Sequence, residues 1–162
     1  MKRSFLIVPL GLIELQALVA DPPQFDGTPV ARGALPPSII LERAIEALRD
    51  GRPPLWFAPF AFLRKRPRRL MGTGGFKGAP VLRRVEIGYG VAEMFRGQGV
   101  ATAGVVHLLR AAFAETEVTE VYAETALGNA PSRRVVEKTG FRHLGRRDTS
   151  DDGIVDRWLK CK

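Results

Sequence analysis

A chain of 162 residues, 45% hydrophobic and 26% charged, has the size and composition of one folded unit, 1–162, with enough interior to stand without metal or disulfide. Its single cysteine, Cys161, excludes an internal disulfide and a thiolate cluster for zinc, and its two histidines, His107 and His143, read as structural, so no metal is expected and a reducing, cytoplasmic compartment suits it. A net charge of +8 attracts polyanions of every kind and by itself selects none.

The N-terminal run from Met1 to Ala20 imitates a secretory signal. Pro9 and Gly11 interrupt its apolar core, however, and Leu18 holds the small-residue position before an Ala20 cleavage. The preferred reading is an edge strand, Ser4 to Val8, followed by a helix over residues 10 to 20. No other stretch approaches the roughly 20 apolar residues of a membrane span, and no membrane partner is expected. Asp21 to Pro37 is rich in proline and glycine and reads as a loop long enough to be functional.

Ser38 is placed to cap a second helix, with Leu41, Ala44, Ile45 and Leu48 at helical spacing and Asp50-Gly51 as its stop. Three strands follow: Leu55 to Leu63, Arg69 to Phe76 and Val81 to Val91. Their short connections make neighbours antiparallel. The first connection, Arg64 to Arg69, carries five basic residues around Pro67. No aromatic residue interleaves with them for base stacking, so a solvated hairpin tip is preferred to a nucleic-acid contact.

Arg96-Gly97-Gln98-Gly99-Val100-Ala101-Thr102 lies between that third strand and a helical run, Val100 to Ala114, whose Val105, Leu108, Leu109 and Ala112 share a face. Gly97 and Gly99 permit positive φ and leave the backbone uncovered, so successive amides can converge on phosphate oxygens. The unpaired amides and dipole of the helix behind them favour an anion. Val118 to Thr125 is the next strand, and the intervening helix predicts that it lies parallel to Val81 to Val91. A helix over Ala130 to Thr139 stops at Gly140, and the strands Phe141 to Arg147 and Ile154 to Lys160 flank a turn, Asp148 to Gly153. Trp56 and Trp158 read as core or sheet-face residues.

This order, together with the Arg96-x-x-Gly99-x-Ala101 loop and an asparagine, Asn129, followed by Gly140-Phe141, resembles the GNAT family of acetyl-CoA-dependent N-acetyltransferases. The pattern Asn129-x-x-Ser132-x-x-x-x-Glu137-Lys138-x-Gly140-Phe141 is similar to the branch that includes ribosomal-protein N-terminal acetyltransferases. The resemblance implies an α/β fold: a central, mostly antiparallel sheet with one parallel strand pair that splays to admit acetyl-CoA, and helices on both faces. It implies acetyl transfer to a primary amine, a protein N-terminus or a small molecule, by direct attack through a tetrahedral intermediate. A non-catalytic acetyl-CoA-binding module is the alternative, and a basic nucleic-acid-binding domain a weaker one. A homodimer is a candidate assembly.

Carried onto this sequence, the resemblance makes Arg96, Gly97, Gln98, Gly99, Val100, Ala101 and Thr102 the pyrophosphate grip. A backbone amide near Val91 would stabilise the oxyanion. Many GNAT enzymes carry a tyrosine seven residues after the asparagine as proton donor to the departing thiolate; Val136 stands there. Ser132 is then the candidate donor and Asn129 the contact to the pantetheine arm, with a helix N-cap as the competing role for either. An amine acceptor is mostly protonated at neutral pH and must lose a proton. Glu86 is the candidate base, acting through water, because strand alternation puts it on one face with Gly88 and Gly90; the competing role is an ion pair with Arg83 or Arg84. Glu124 is a second carboxylate. The resemblance puts the acceptor between the Pro22 to Pro37 loop and the Asp148 to Gly153 hairpin. A dinucleotide-binding fold is disfavoured: Thr102 replaces its third glycine, and Ala92 to Arg96 inserts too much chain after the strand.

Overall fold

The computed structural model describes residues 5–162; the Ser4 start expected for the first strand lies outside the described residues. In chain order the elements are β1 (Phe5–Pro9), α1 (Leu12–Val19), β2 (Gln24–Phe25), β3 (Thr28–Pro29), α2 (Ser38–Arg49), α3 (Pro54–Phe57), β4 (Phe60–Arg64), β5 (Arg69–Phe76) and β6 (Arg84–Val91). They continue with α4 (Val100–Ala114), β7 (Glu120–Ala126), α5 (Ala130–Lys138), β8 (Arg142–Thr149) and β9 (Gly153–Cys161). Seven strands form one sheet in the order β1-β4-β5-β6-β7-β9-β8. Among the described residues its pairs are antiparallel except β6 with β7. That exception follows from connectivity: α4 carries the chain from one end of the sheet back to the other, so β7 re-enters in the direction of β6.

Alternation along the central strands separates two faces. Val85, Ile87, Phe62 and the flank of Gly104 meet on one face, where α4 packs against β5 and β6. Phe62, fully buried, fills the gap between Gly74 of β5 and Gly104 of α4, and a Cβ at either position would overlap its ring. Val105, Leu108 and Ala112 supply the apolar stripe of α4 and are completely buried. On the opposite face Thr73 donates its hydroxyl to the Ala34 carbonyl at 3.2 Å, and α1, α2 and α3 pack in succession beside it. Among the described residues no helix is long and apolar enough to cross a membrane.

Four local departures from the sequence expectation have physical causes. The run from Leu55 divides: Pro54 occupies the first helical turn, where its fixed φ suits a helix, so Pro54–Phe57 is helical and only Phe60–Arg64 is extended. Leu82 and Arg83 adopt φ of 49° and 64°, which breaks the expected strand and starts β6 at Arg84, leaving Val81 a single bridge to that residue. Ser38 is the first residue of α2 rather than its cap; Pro37 takes the cap position without a side-chain hydrogen bond. The Asp21 to Pro37 loop contains the short β2–β3 hairpin, turning on Asp26-Gly27 at φ 50° and 71°, the left-handed pair that a tight hairpin requires. The basic β4–β5 tip docks on it, with Arg68 ion-paired to Asp26 and lying over the Phe25 ring.

Candidate active site

β6 and β7 pair only from Arg84/Glu120 to Ile87/Ala123 and then part. The Ala92 amide donates to the Met71 carbonyl at 2.9 Å, so Ala92 faces β5. Donors alternate between the two sides of an extended strand. The Tyr89 and Val91 amides therefore face the β7 side, past the last paired residue. The loop from Arg96 to Gly99 and the start of α5 each follow the C-terminal end of one of these parallel strands, so both flank the opening.

The loop takes the conformation its glycines allow. Gly97 and Gly99 have φ of 70° and 84°, and nothing lies within 4 Å of where a Gly97 Cβ would stand. Gly99 is the N-cap of α4, which has no side-chain cap and no acidic residue in its first turn. Its first amides are thus left for solvent or an anion, and the helix dipole favours the anion. Phe95 and Val100 are buried on either side and anchor the loop, while Gln98 bonds back to the Met94 carbonyl at 3.3 Å. Arg96 is exposed, and Ala101 and Thr102 are half-buried.

Across the opening, Asn129 is the N-cap of α5. Its Oδ1 accepts from the Ser132 amide at 3.2 Å, which realises the capping role for Asn129 and leaves the Ser132 hydroxyl outside that contact. The Ser132 carbonyl accepts from the Tyr89 hydroxyl, also at 3.2 Å. Burial pushes the Tyr89 phenol up to about 12, so it stays protonated and remains a donor. Tyr89 is a strut between β6 and the first turn of α5. Sequence reasoning gave it no role, although alternation puts it on the buried face with Val85 and Ile87, where a polar tip needs a partner. Val136 is completely buried and serves as core.

Glu86 stands on the face that alternation predicts, with Gly88 and Gly90, but its partner is Lys77, across the β5–β6 turn. Arg84 pairs with Glu120, and Arg83 donates to the Thr116 carbonyl. The Glu86 side chain, 28% exposed, borders a hollow of about 300 Å³ shared with Lys77 and Tyr122. Lys77 also borders a larger cavity of about 880 Å³ on the same face, between the sheet and α2 and α3. Its floor is Thr73 opposite Gly90 and Gly75 opposite Gly88. The end of the Pro22 to Pro37 loop, Leu35 to Pro37, lines it; the Asp148 to Gly153 hairpin does not. That hairpin closes on itself through Thr149, whose hydroxyl donates to the Gly153 carbonyl and accepts from the Asp152 amide. Glu124 is held by Arg147 at 2.7 Å.

Both histidines have structural surroundings. His107 meets the Phe60 ring edge-on, and His143 bonds Asp156 at 2.9 Å. That hydrogen bond, opposed by burial and aided by Arg146, holds the Asp156 carboxyl below its usual range. Trp158 is buried and donates to the Thr125 hydroxyl, and Trp56 is buried at the end of the larger cavity. Among the described residues no cluster of three potential ligands gathers for a metal.

Residues 28–142 match the family model described as an acetyltransferase (GNAT) domain. A stretch of 66 residues, 41% of this chain, is 42% identical to YdaF of Bacillus subtilis (strain 168), a candidate ribosomal N-acetyltransferase, and covers 36% of that protein. The crystal structure of a probable acetyltransferase is 28% identical, with a TM-score of 0.62 over 75% of this chain and 69% of the other. The fold is shared, at 14% identity, by RimL, a ribosomal L7/L12 alpha-N-protein acetyltransferase solved in complex with coenzyme A, with a TM-score of 0.70 over 98% and 94% of the two chains. The chain spans about a third of the length of the curated relatives it matches.

Proposed function

Because the chain belongs to the GNAT acetyltransferase family, we propose that it moves the acetyl group of acetyl-CoA to a primary amine by direct attack. The observation that carries this reading is the uncapped start of α4 behind two left-handed glycines, placed where the parallel pair opens. Acetyl-CoA fits the residues present: its pyrophosphate matches amides with no side-chain acceptor, and the Tyr89 and Val91 amides, beyond the last β6–β7 pair, are donors the arm would meet. The cosubstrate supplies an activated thioester.

The protein supplies the rest. Arg96 to Thr102 grips the pyrophosphate chiefly through backbone amides. The Val91 amide, with Tyr89 beside it, faces the acetyl oxygen and stabilises the charge that develops there. Asn129 caps α5 and, through the Ser132 amide, holds Ser132 beside the departing sulfur. Tyr89 positions the same residue from the sheet side through the Ser132 carbonyl. Glu86 takes the proton from the amine through water, from its place on the glycine face of β6 beside Gly88 and bordering the smaller hollow. Glu124, engaged by Arg147 as Glu86 is by Lys77, is the second carboxylate but borders neither cavity. The likeness to YdaF supports a protein N-terminus as one acceptor class.

The test is release of free CoA thiol from acetyl-CoA in the presence of amines. Glu86→Gln is expected to lower kcat by about 10²-fold or more, in the range typical of a lost general base, with acetyl-CoA affinity within about twofold of the parent by the same logic. Unchanged rates across pH would remove Glu86 as the base. Tight acetyl-CoA binding without thiol release for any amine would leave a non-catalytic binding module.

A further inference from the structure

The larger cavity lies on the sheet face opposite α4, over the two glycines of β6 that lead to the splay. Gly88 faces Gly75 and Gly90 faces Thr73 across the β5–β6 pair, so the floor is nearly bare backbone. A Cβ at Gly90 would meet nothing within 4 Å, and one at Gly88 only the Lys77 stem, at 3.8 Å. An amine can therefore reach the β6 backbone from this side, with the cosubstrate cradle at the end of the same strand.

The rest of the cavity is much larger than an amine needs. Its volume, about 880 Å³, is in the range that takes a drug-sized ligand. Trp56 and Phe76 close one end, edge to face at 4.9 Å between centroids. Phe57 stands beside them with the Arg52 guanidinium over its ring, 5.0 Å from the centroid. Ala44 and Ala47 of α2 give the roof short side chains that leave the volume open. A methyl or hydroxymethyl group, as on an N-terminal alanine or serine, would leave most of this apolar wall without contacts.

The charges at the rim decide between bulky amines. Glu46 and Asp50 contribute two negative charges and Arg43 and Arg52 two positive ones, while Lys77 is already paired with Glu86. A polyamine needs several unopposed carboxylates, and here the cations match them in number. We infer that, within the acetyltransferase reading on which this rests, the cavity takes a monoamine joined by a short stem to an aromatic group, with the ring against Trp56, Phe57 and Phe76 and the nitrogen over Gly88 and Gly90.

The test begins with calorimetric titration of acetyl-CoA and continues with thiol release for 2-phenylethylamine, a Phe-initiated tetrapeptide, Ser- and Ala-initiated tetrapeptides, ethylamine and spermidine. The expected result is a kcat/KM for 2-phenylethylamine at least about tenfold above those for spermidine and the Ser and Ala peptides, the contribution of one well-placed ring. Whether the Phe-initiated peptide matches the free amine tells which source of the ring is used. Ala47→Phe, which fills the roof, lowers kcat/KM for 2-phenylethylamine by about tenfold or more and for ethylamine by less than about threefold, with unchanged acetyl-CoA affinity. If that variant does not fold, Ile40→Trp at the rim makes the same comparison. Acetyl-CoA binding together with preference for spermidine, Ser or Ala overturns the cavity assignment and leaves the acetyltransferase reading standing. Failure to bind acetyl-CoA overturns both.

Discussion

Gly104 lies in the middle of α4, where replacement of glycine by alanine ordinarily stabilises a helix by about 1 kcal/mol. Here the sign reverses. A Cβ at Gly104 would stand 2.3, 2.4 and 2.7 Å from Cζ, Cε2 and Cε1 of Phe62, against the roughly 3.5 to 4.0 Å of a comfortable carbon contact. The ring has little space to retreat into, because on its other side it lies against the backbone of Gly74 and Phe62 is completely buried. Overpacking with contacts this short costs about 2 to 3 kcal/mol, set against the propensity gain of about 1 kcal/mol. Gly104→Ala should lose about 1 to 2 kcal/mol net by that reckoning, a fall in Tm of about 2 to 8 °C for a chain of this length. Thermal and urea unfolding measure it. Phe62→Leu, which shortens the ring side, should be less sensitive to the added methyl, so the double variant shows a coupling of about 0.5 kcal/mol or more. A raised or unchanged Tm for Gly104→Ala would refute the packing of α4 on β4 and β5, and with it the placement of the α4 N-terminus.

Asn129→Ala removes the cap on the Ser132 amide and should cost about 1 kcal/mol, or about 2 to 4 °C in Tm, while Asn129→Asp keeps the cap and the Tm; an equal loss in both would contradict the capping geometry. Burial, with help from Arg110, holds the His107 imidazole below its ordinary value of 6.5, so the fold favours the neutral ring. The stability this represents is complete above that value and is lost as pH falls through it, because the unfolded chain takes up the proton first. His107→Phe keeps the contact to Phe60 and should flatten the change in urea midpoint between about pH 7.5 and 5.5; an unaltered slope would assign that pH dependence to other groups.

α4 and β5 are legible in the sequence residue for residue, because a heptad-like apolar stripe and a strand bounded by turn residues each carry their own signal. The parallel placement of β7 is legible too, since a crossover helix leaves no other short route. What escaped depends on backbone conformations that side-chain patterns do not encode. Leu82 and Arg83 in the left-handed region ended an otherwise continuous strand pattern, and a proline at the first helical position turned the start of another into α3. In the site, the Arg96 to Thr102 loop is local and its glycines announce it. The Lys77 partner of Glu86, the Tyr89 strut and the large cavity arise from strand register and from the way α2 lies over a glycine floor. Those contacts join residues up to 43 positions apart, and neither spacing nor composition marks them.

The proposed function turns on receipt of the acetyl-CoA pyrophosphate at the start of α4. Calorimetric titration with acetyl-CoA and with acetyl-pantetheine, which lacks the pyrophosphate, tests it directly, with NAD and duplex DNA as controls. One acetyl-CoA is expected per chain, with at least about tenfold weaker binding of acetyl-pantetheine from the loss of charge-assisted amide contacts and no saturable heat from the controls. Absence of acetyl-CoA binding, or equal affinity for the truncated compound, would contradict it.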